Sequence, residues 1–442
     1  MSHQNRIYLT WTLFAASFVV GIAVTGVICK AATTRGIKDG HGELKWQDDS
    51  NDTQEEQVDE AEKERLARQH AEVRSRTTWN NPACIAGNEQ CIDCHQQETR
   101  ALLASKHSTR AFDLLRTADS SLDYAKKLGI RPSEITRSSI CVNCHGTPHT
   151  KLNGKLDVIS EITCESCHGS SLGDRGWLNI HASYGSSYAL RHEETPEHFS
   201  YRQQRCDEAG HLRTSNLYAM TKRCFDCHVV GDESLAHAGH NHGDGFEMVG
   251  KALGEIRHNF MLNTNENAKV STLWIDPLWH GANRTASGRI RVMFILGQMV
   301  DLEFSLRALA RATEEGDFSD SMVGRIEESF ELLAEEIVEE IEAIIEDEPE
   351  KSADLTEIKA IVDIVTPVWE EIDDDGFDPE NSGRYVETAN LISPLAEKFG
   401  NRDGSKLELF DELDLLPEDY FEGAYDPNPS SSQGEGEDSE NE

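Results

Sequence analysis

The sequence predicts a mainly α protein in two parts, a cysteine- and histidine-rich middle region of short helices and loops followed by a C-terminal α-helical region. Three observations predict it. Four pentapeptides of the form C-x-x-C-H crowd into the middle of the chain, at Cys91, Cys94, His95; Cys141, Cys144, His145; Cys164, Cys167, His168; and Cys224, Cys227, His228. No Cys and no His occurs after position 288. Beyond that point apolar residues recur at three- and four-residue spacing, the period of a helix with one buried face.

A C-x-x-C-H pentapeptide suits one chemistry: the two thiols add to the vinyl groups of a haem, and the following His coordinates its iron. With 11 Cys and 18 His in 442 residues, chance supplies about 0.01 such pentapeptides, so four are not accidental. Zinc sites or redox C-x-x-C pairs are the competing explanation. A His directly after every second Cys argues against both. The sequence therefore predicts four covalently bound c-type haems, attached through Cys91, Cys94, Cys141, Cys144, Cys164, Cys167, Cys224 and Cys227. His95, His145, His168 and His228 are the expected proximal iron ligands. So many macrocycles in so short a stretch form much of the apolar core themselves, within thin protein walls.

The formal net charge is −38. That excludes a nucleic-acid partner, because a phosphate backbone would be repelled. An acidic surface suits a redox protein partner with a basic docking face; solubility or a saline habitat explains it equally. Thioether attachment belongs to an exported, oxidising compartment. Cys84 and Cys206 lie there outside the motifs, and a disulfide between them is compatible with the sequence, which does not supply their separation. Cys29 ends an apolar run without the small residues before it that a lipoprotein cleavage site needs.

That run, residues 7–29, carries no charge and is long enough at about 1.5 Å per residue to span a bilayer. Residues 1–30 are thus an N-terminal anchor or signal, and the missing A-x-A-like exit favours an uncleaved anchor. Arg6 precedes the span while Lys30, Arg35 and Lys38 follow it, opposite to the usual bias. Haem attachment outside the cytoplasm overrides this. The expected location is the cytoplasmic membrane, with a single span and the bulk of the chain periplasmic. Residues 31–78 read as an acidic polar linker, a stalk with one solvated helix.

Residues 79–287 form the predicted tetrahaem domain. The first motif continues without Gly or Pro past Phe112, which reads as one helix. His107 on that helix lies about 18 Å along the axis from His95, too far to grip the same iron, so it is expected to complete a neighbouring haem. A helix and turn lead to the second motif. Pro148 follows that motif closely and leaves His149 poorly placed to reach the opposite haem face. His181, on a fresh segment after the third motif, is a distal-ligand candidate. His192, His198 and His211 sit in a polar region around Cys206 and are not expected to be ligands. His237, His240 and His242 cluster after the fourth motif. Such a cluster can hold a metal, but ligation of haem iron is the more economical role, with His240 and His258 favoured and His280 an outside candidate.

Residues 288–425 read as an acidic helical region. Ile290, Phe294, Val300 and Phe304 begin it. Ile326, Phe330, Leu333, Ile337 and Ile341 mark an amphipathic helix with an acidic outer face. Ser352 and Asp354 resemble the start of another, carrying Leu355, Ile358, Ile361 and Val365 and disturbed at its end by Pro367. A weaker helix is expected near residues 385–399. Together these helices either cover the haem domain or dock a partner. Residues 426–442, rich in Ser, Gly and Glu, are expected to be a disordered acidic tail.

The first motif with its later S-K-H-S-T-R-A-F, the T-C-E-S-C-H-G of the third, and G-H-N-H-G-D-G-F-E with a following R-H-N-F together resemble the tetrahaem cytochrome c-554 family. The resemblance covers roughly residues 82–260 and does not reach the anchor, stalk or acidic helices. It implies haems in stacked pairs, most of them bis-histidine and one five-coordinate, and a redox partner such as the hydroxylamine oxidoreductase served by its best-known member. Carried over, the open haem is the second, on Cys141, Cys144 and His145.

The expected function is a membrane-anchored periplasmic tetrahaem cytochrome passing electrons between redox partners. The alternative is a haem enzyme acting on nitric oxide or hydroxylamine at a five-coordinate haem. A third possibility is a scaffold whose C-terminal helices recruit another protein.

Overall fold

The computed structural model describes residues 81–151, 155–173, 176–185, 193–213, 216–243, 245–252 and 286–416. The expected anchor at 7–29, the linker at 31–78, the tail at 426–442, and His192, His258 and His280 lie outside these. Among the described residues no helix is long and apolar enough to cross a membrane.

The middle region consists of short helices: α1 (Gln96–Ala104), α2 (Ala111–Thr117), α3 (Asp119–Lys127), α4 (Ser139–His145), α5 (Cys164–His168), α6 (Leu178–His181), α7 (Pro196–Glu208), α8 (Leu217–His228) and α9 (Glu233–Ala238). A two-stranded antiparallel hairpin, β1 (Thr147–Thr150) with β2 (Leu156–Ile159), pairs Thr147 with Ile159. The expectation of mainly helical structure holds. The single helix expected from His95 to beyond Phe112 does not. Ser105 leaves the helical conformation, with φ −74° and ψ 164°, and its hydroxyl donates to the Leu102 carbonyl at 2.7 Å. A serine that satisfies the last turn of a helix in this way competes with continuation. The chain resumes as one turn, Lys106–Thr109, and then α2.

The C-terminal bundle contains α10 (Ala286–Leu309), α11 (Asp317–Glu331), α12 (Glu340–Asp347), α13 (Thr356–Asp375) and α14 (Ser382–Gly400). A π-type winding, Leu332–Glu339, joins α11 to α12. Helix α10 is buried nearly all round: Val292, Ile295, Leu296, Met299, Leu302, Leu306 and Leu309 are all buried. A helix apolar on every face belongs at the centre of a bundle. Helices α11 and α14 are amphipathic and pack on it, burying Ile326, Ile392 and Phe399, while α13 packs on α14 and α11 and adds Ile361 and Val365 to the same core. Helix α13 runs through Pro367 to Asp375. Val368 and Ile372, buried beyond the proline, hold the last turns in place despite the lost backbone donor.

The two regions share one core. Leu217, Tyr218, Phe225, Val229, Met248 and Val249 belong to the same apolar cluster as α10 to α14. Polar contacts reinforce it. Glu303, buried on α10, accepts from the Tyr218 hydroxyl at 2.7 Å and pairs with Lys222 at 3.4 Å and Arg307 at 3.0 Å. Arg325 of α11 is bidentate to Asp301 and donates to the Gly243 carbonyl at 2.7 Å, tying down the loop after the fourth motif.

Candidate haem-binding site

Three of the four motifs are the last turns of helices: α4, α5 and α8 end on His145, His168 and His228. His95 instead follows a turn and caps the start of α1. On a helical turn, residues three and four apart share a face, so the first thiol of each motif and its His emerge together.

Every motif imidazole faces a second imidazole from distant sequence. Ring centres are 5.9 Å apart for His95 and His181 and 6.1 Å for His228 and His107. They are 6.1 Å apart for His145 and His240 and 5.9 Å for His168 and His211. Metal–nitrogen bonds of about 2 Å on both sides of one iron put imidazole centres about 6 Å apart. The residues therefore fit haem iron held between two histidines.

Hydrogen bonding selects the nitrogen presented. His145 Nδ1 lies 2.7 Å from the Ala111 carbonyl oxygen, His168 Nδ1 2.7 Å from that of Leu212, and His240 Nδ1 2.6 Å from that of Asn241. A ring N–H spent on a carbonyl leaves the lone pair of Nε2 for a metal. Burial keeps the rings neutral. It pushes His145 and His168 down, His211 well below the usual range, and His228 down to about 4.

The thiols group the motifs. A hydrogen bond with Cys91, and then burial, raise the Cys164 thiol. A hydrogen bond with Cys144, and then burial, raise Cys227. First and third motifs are thus neighbours, as are second and fourth. Burial and then the nearby Cys167 raise Cys224, which joins the third motif to the fourth. Around the first and third, Trp177 stacks on His211 with centres 4.0 Å apart and meets His181 edge-on at 5.9 Å. Its indole N–H donates to the Gly169 carbonyl at 3.1 Å. The Glu165 carboxylate, fully buried, accepts from the backbone N–H groups of Ala86, Gly87 and Ser171. Those bonds clamp the segment leading to the first motif against the third.

A cavity of about 500 Å³ lies at the second motif. Cys141, Cys144, His145 and His240 line it together with Leu115, Ile135, Phe225 and other apolar side chains. Two thiols, two imidazoles and an apolar wall are the donor set that a c-type haem needs.

The structure brings His107, His181 and His240 each against a motif imidazole; His258 lies outside the described residues. Two histidines stand where the sequence reading did not place them. The second motif has a facing histidine, His240, where the family resemblance leaves an open position. That histidine, a ligand candidate by sequence, arrives from beyond the fourth motif, and nothing local to His145 ties the two together. His211, not expected to be a ligand, stands against His168. A signal for both existed: each follows a helix in the triplet Ala-Gly-His, at 209–211 and 238–240. Gly210 and Gly239 adopt φ of 88° and 94°, and the His N–H bonds back to Cys206 or Leu235 at 2.9 and 3.0 Å. This is a Schellman ending that turns the chain and presents the next residue.

Other histidines have different roles. His149 faces Asp157 on the hairpin at 3.8 Å, and His198 Nδ1 lies 2.7 Å from Glu194. Cys84 and Cys206 are both buried and unbridged. The Cys206 thiol is grouped with the His181 and His211 imidazoles, within 4.8 Å of a nitrogen of each.

Residues 90–169 match the family described as cytochrome c554 and c-prime, a stretch holding the first three motifs. No curated protein and no solved structure matches the chain. Over the matched stretch the chain is similar to the cytochrome c554 family, which supports a c-type cytochrome with covalently bound haem.

Proposed function

We propose that the chain is a tetrahaem electron carrier whose irons are each held between two histidines: His95 with His181, His145 with His240, His168 with His211, and His228 with His107. The four imidazole pairs at 5.9 to 6.1 Å carry this reading. Haem, when bound, supplies a one-electron iron centre. The chain's own residues saturate the metal, exclude water behind apolar walls and fix the order of the centres. Adjacent thiols of motifs one and three, three and four, and four and two support a path running one, three, four, two. An enzyme acting on nitric oxide or hydroxylamine needs an open iron. The position of His240 counts against one at the second haem.

The apolar run at 7–29 supports a tether holding this carrier on the periplasmic face of the cytoplasmic membrane. The charge of −38 supports steering of a cationic redox partner. A pyridine haemochrome assay on the full-length protein tests the core of the proposal. Four haems per chain and only low-spin iron in low-temperature EPR of the oxidised protein are expected. A lower count, or one equivalent of high-spin iron, overturns it.

A further inference from the structure

The second-motif cavity is not closed by the haem region alone. Phe304 of α10 and Arg311, just past the end of that helix, stand in its wall. Both lie far beyond the stretch that matches the cytochrome c554 family. Arg311 is the one Lys or Arg among the described residues that line this cavity. Its place is specific. A Cβ added to Gly231, on the same wall, would meet Arg311 Nη2 at 2.9 Å, and Arg311 Nε donates to the Arg307 carbonyl at 3.0 Å. The wall also carries two carboxylates. Asp226 pairs with Arg223 at 2.7 Å, and Asp232 accepts from the Ser234 backbone and hydroxyl at 3.1 and 2.5 Å while capping α9.

A haem brings two carboxylates of its own, the propionates. A guanidinium matches a carboxylate in plane and in hydrogen-bond geometry better than any other side chain. We propose that Arg311 anchors a propionate of the haem on Cys141 and Cys144, so that the C-terminal helices complete that haem's site and set its potential. A positive charge beside the centre disfavours the ferric state, which carries one more positive charge than the ferrous state. Arg311 thereby raises the reduction potential of this haem. The inference rests on the tetrahaem reading.

The test is an optical redox titration of full-length holoprotein, wild type against Arg311→Gln, Arg311→Lys and Arg205→Gln. Arg205 is exposed and paired with Glu208 on its own helix, so its loss makes the same change in net charge elsewhere. Arg311→Gln should shift the reduction equilibrium of one haem about tenfold toward the oxidised form, a fall of about 59 mV for a one-electron couple. Arg311→Lys should retain most of the wild-type value, and Arg205→Gln all of it. Four haems by haemochrome with four unchanged potentials in Arg311→Gln overturns the anchor and leaves the tetrahaem reading intact. Fewer than four haems in the wild type overturns that reading instead.

Discussion

His240 decides between a saturated wire and an open site. Its backbone N–H bonds to Leu235, its Nδ1 to Asn241, and its ring stands 6.1 Å from that of His145. On the proposed ligation, His240→Ala takes the sixth ligand from the second iron. The expected result is one equivalent of high-spin signal in EPR and one equivalent of CO bound by the reduced protein, with the other three centres unchanged. Wild-type spectra in that variant would show that His240 is not a ligand. The motif residues were legible in the sequence because thioether chemistry fixes their spacing within five positions. Which motif each facing histidine meets was not, because each pair forms only when segments far apart in the chain come together. His107, His181 and His240 were candidates from the sequence and His211 was not; the uninterrupted helix behind the argument for His107 is absent.

At the scale of elements, the two Ala-Gly-His endings do the placing. Gly210 and Gly239 hold left-handed φ values, where any Cβ clashes with its own backbone and costs about 1 kcal/mol or more. A Cβ at Gly210 would touch nothing else within 4 Å, and one at Gly239 would come no nearer than 3.5 Å to Lys127 Nζ and 3.6 Å to Tyr124 Cε1, so the penalty is conformational. Gly210→Ala and Gly239→Ala should each lower stability by about 1 kcal/mol in denaturant titrations and perturb the EPR of the first-and-third or second-and-fourth centres respectively. Gly324 supplies the opposite case. It lies inside α11 in ordinary helical backbone with open space around it, and Gly324→Ala should raise stability by about 1 kcal/mol with spectra unchanged. The C-terminal helices were legible from apolar spacing because that signal is local. The hairpin at Thr147–Thr150 was not: its strands are four residues each, too short for an alternating pattern to stand out.

For the whole molecule, the central question is whether the acidic helices are a cover or part of the haem protein. The core answers it. Helix α8, which ends on the fourth motif, buries Leu217, Tyr218 and Phe225 against α10 and α14, and Met248 and Val249 join the same cluster. Each such side chain contributes about 1.5–3 kcal/mol when withdrawn from water, and the five together are comparable with the whole stability of a domain, about 5–15 kcal/mol. Removal of residues 286–416 also unpairs Lys222, which loses Glu303, and frees the Gly243 carbonyl from Arg325. The fourth motif then loses the contacts that shape it, and the second loses Phe304 and Arg311 from its wall. The first and third motifs are grouped by contacts among residues 84–213: Glu165 with Gly87 and Ser171, Trp177 with His211. A chain ending at residue 285 should therefore retain two haems by haemochrome, with mass spectrometry placing them on the first and third motifs. A soluble truncated protein carrying four haems with wild-type EPR would show the shared core to be dispensable.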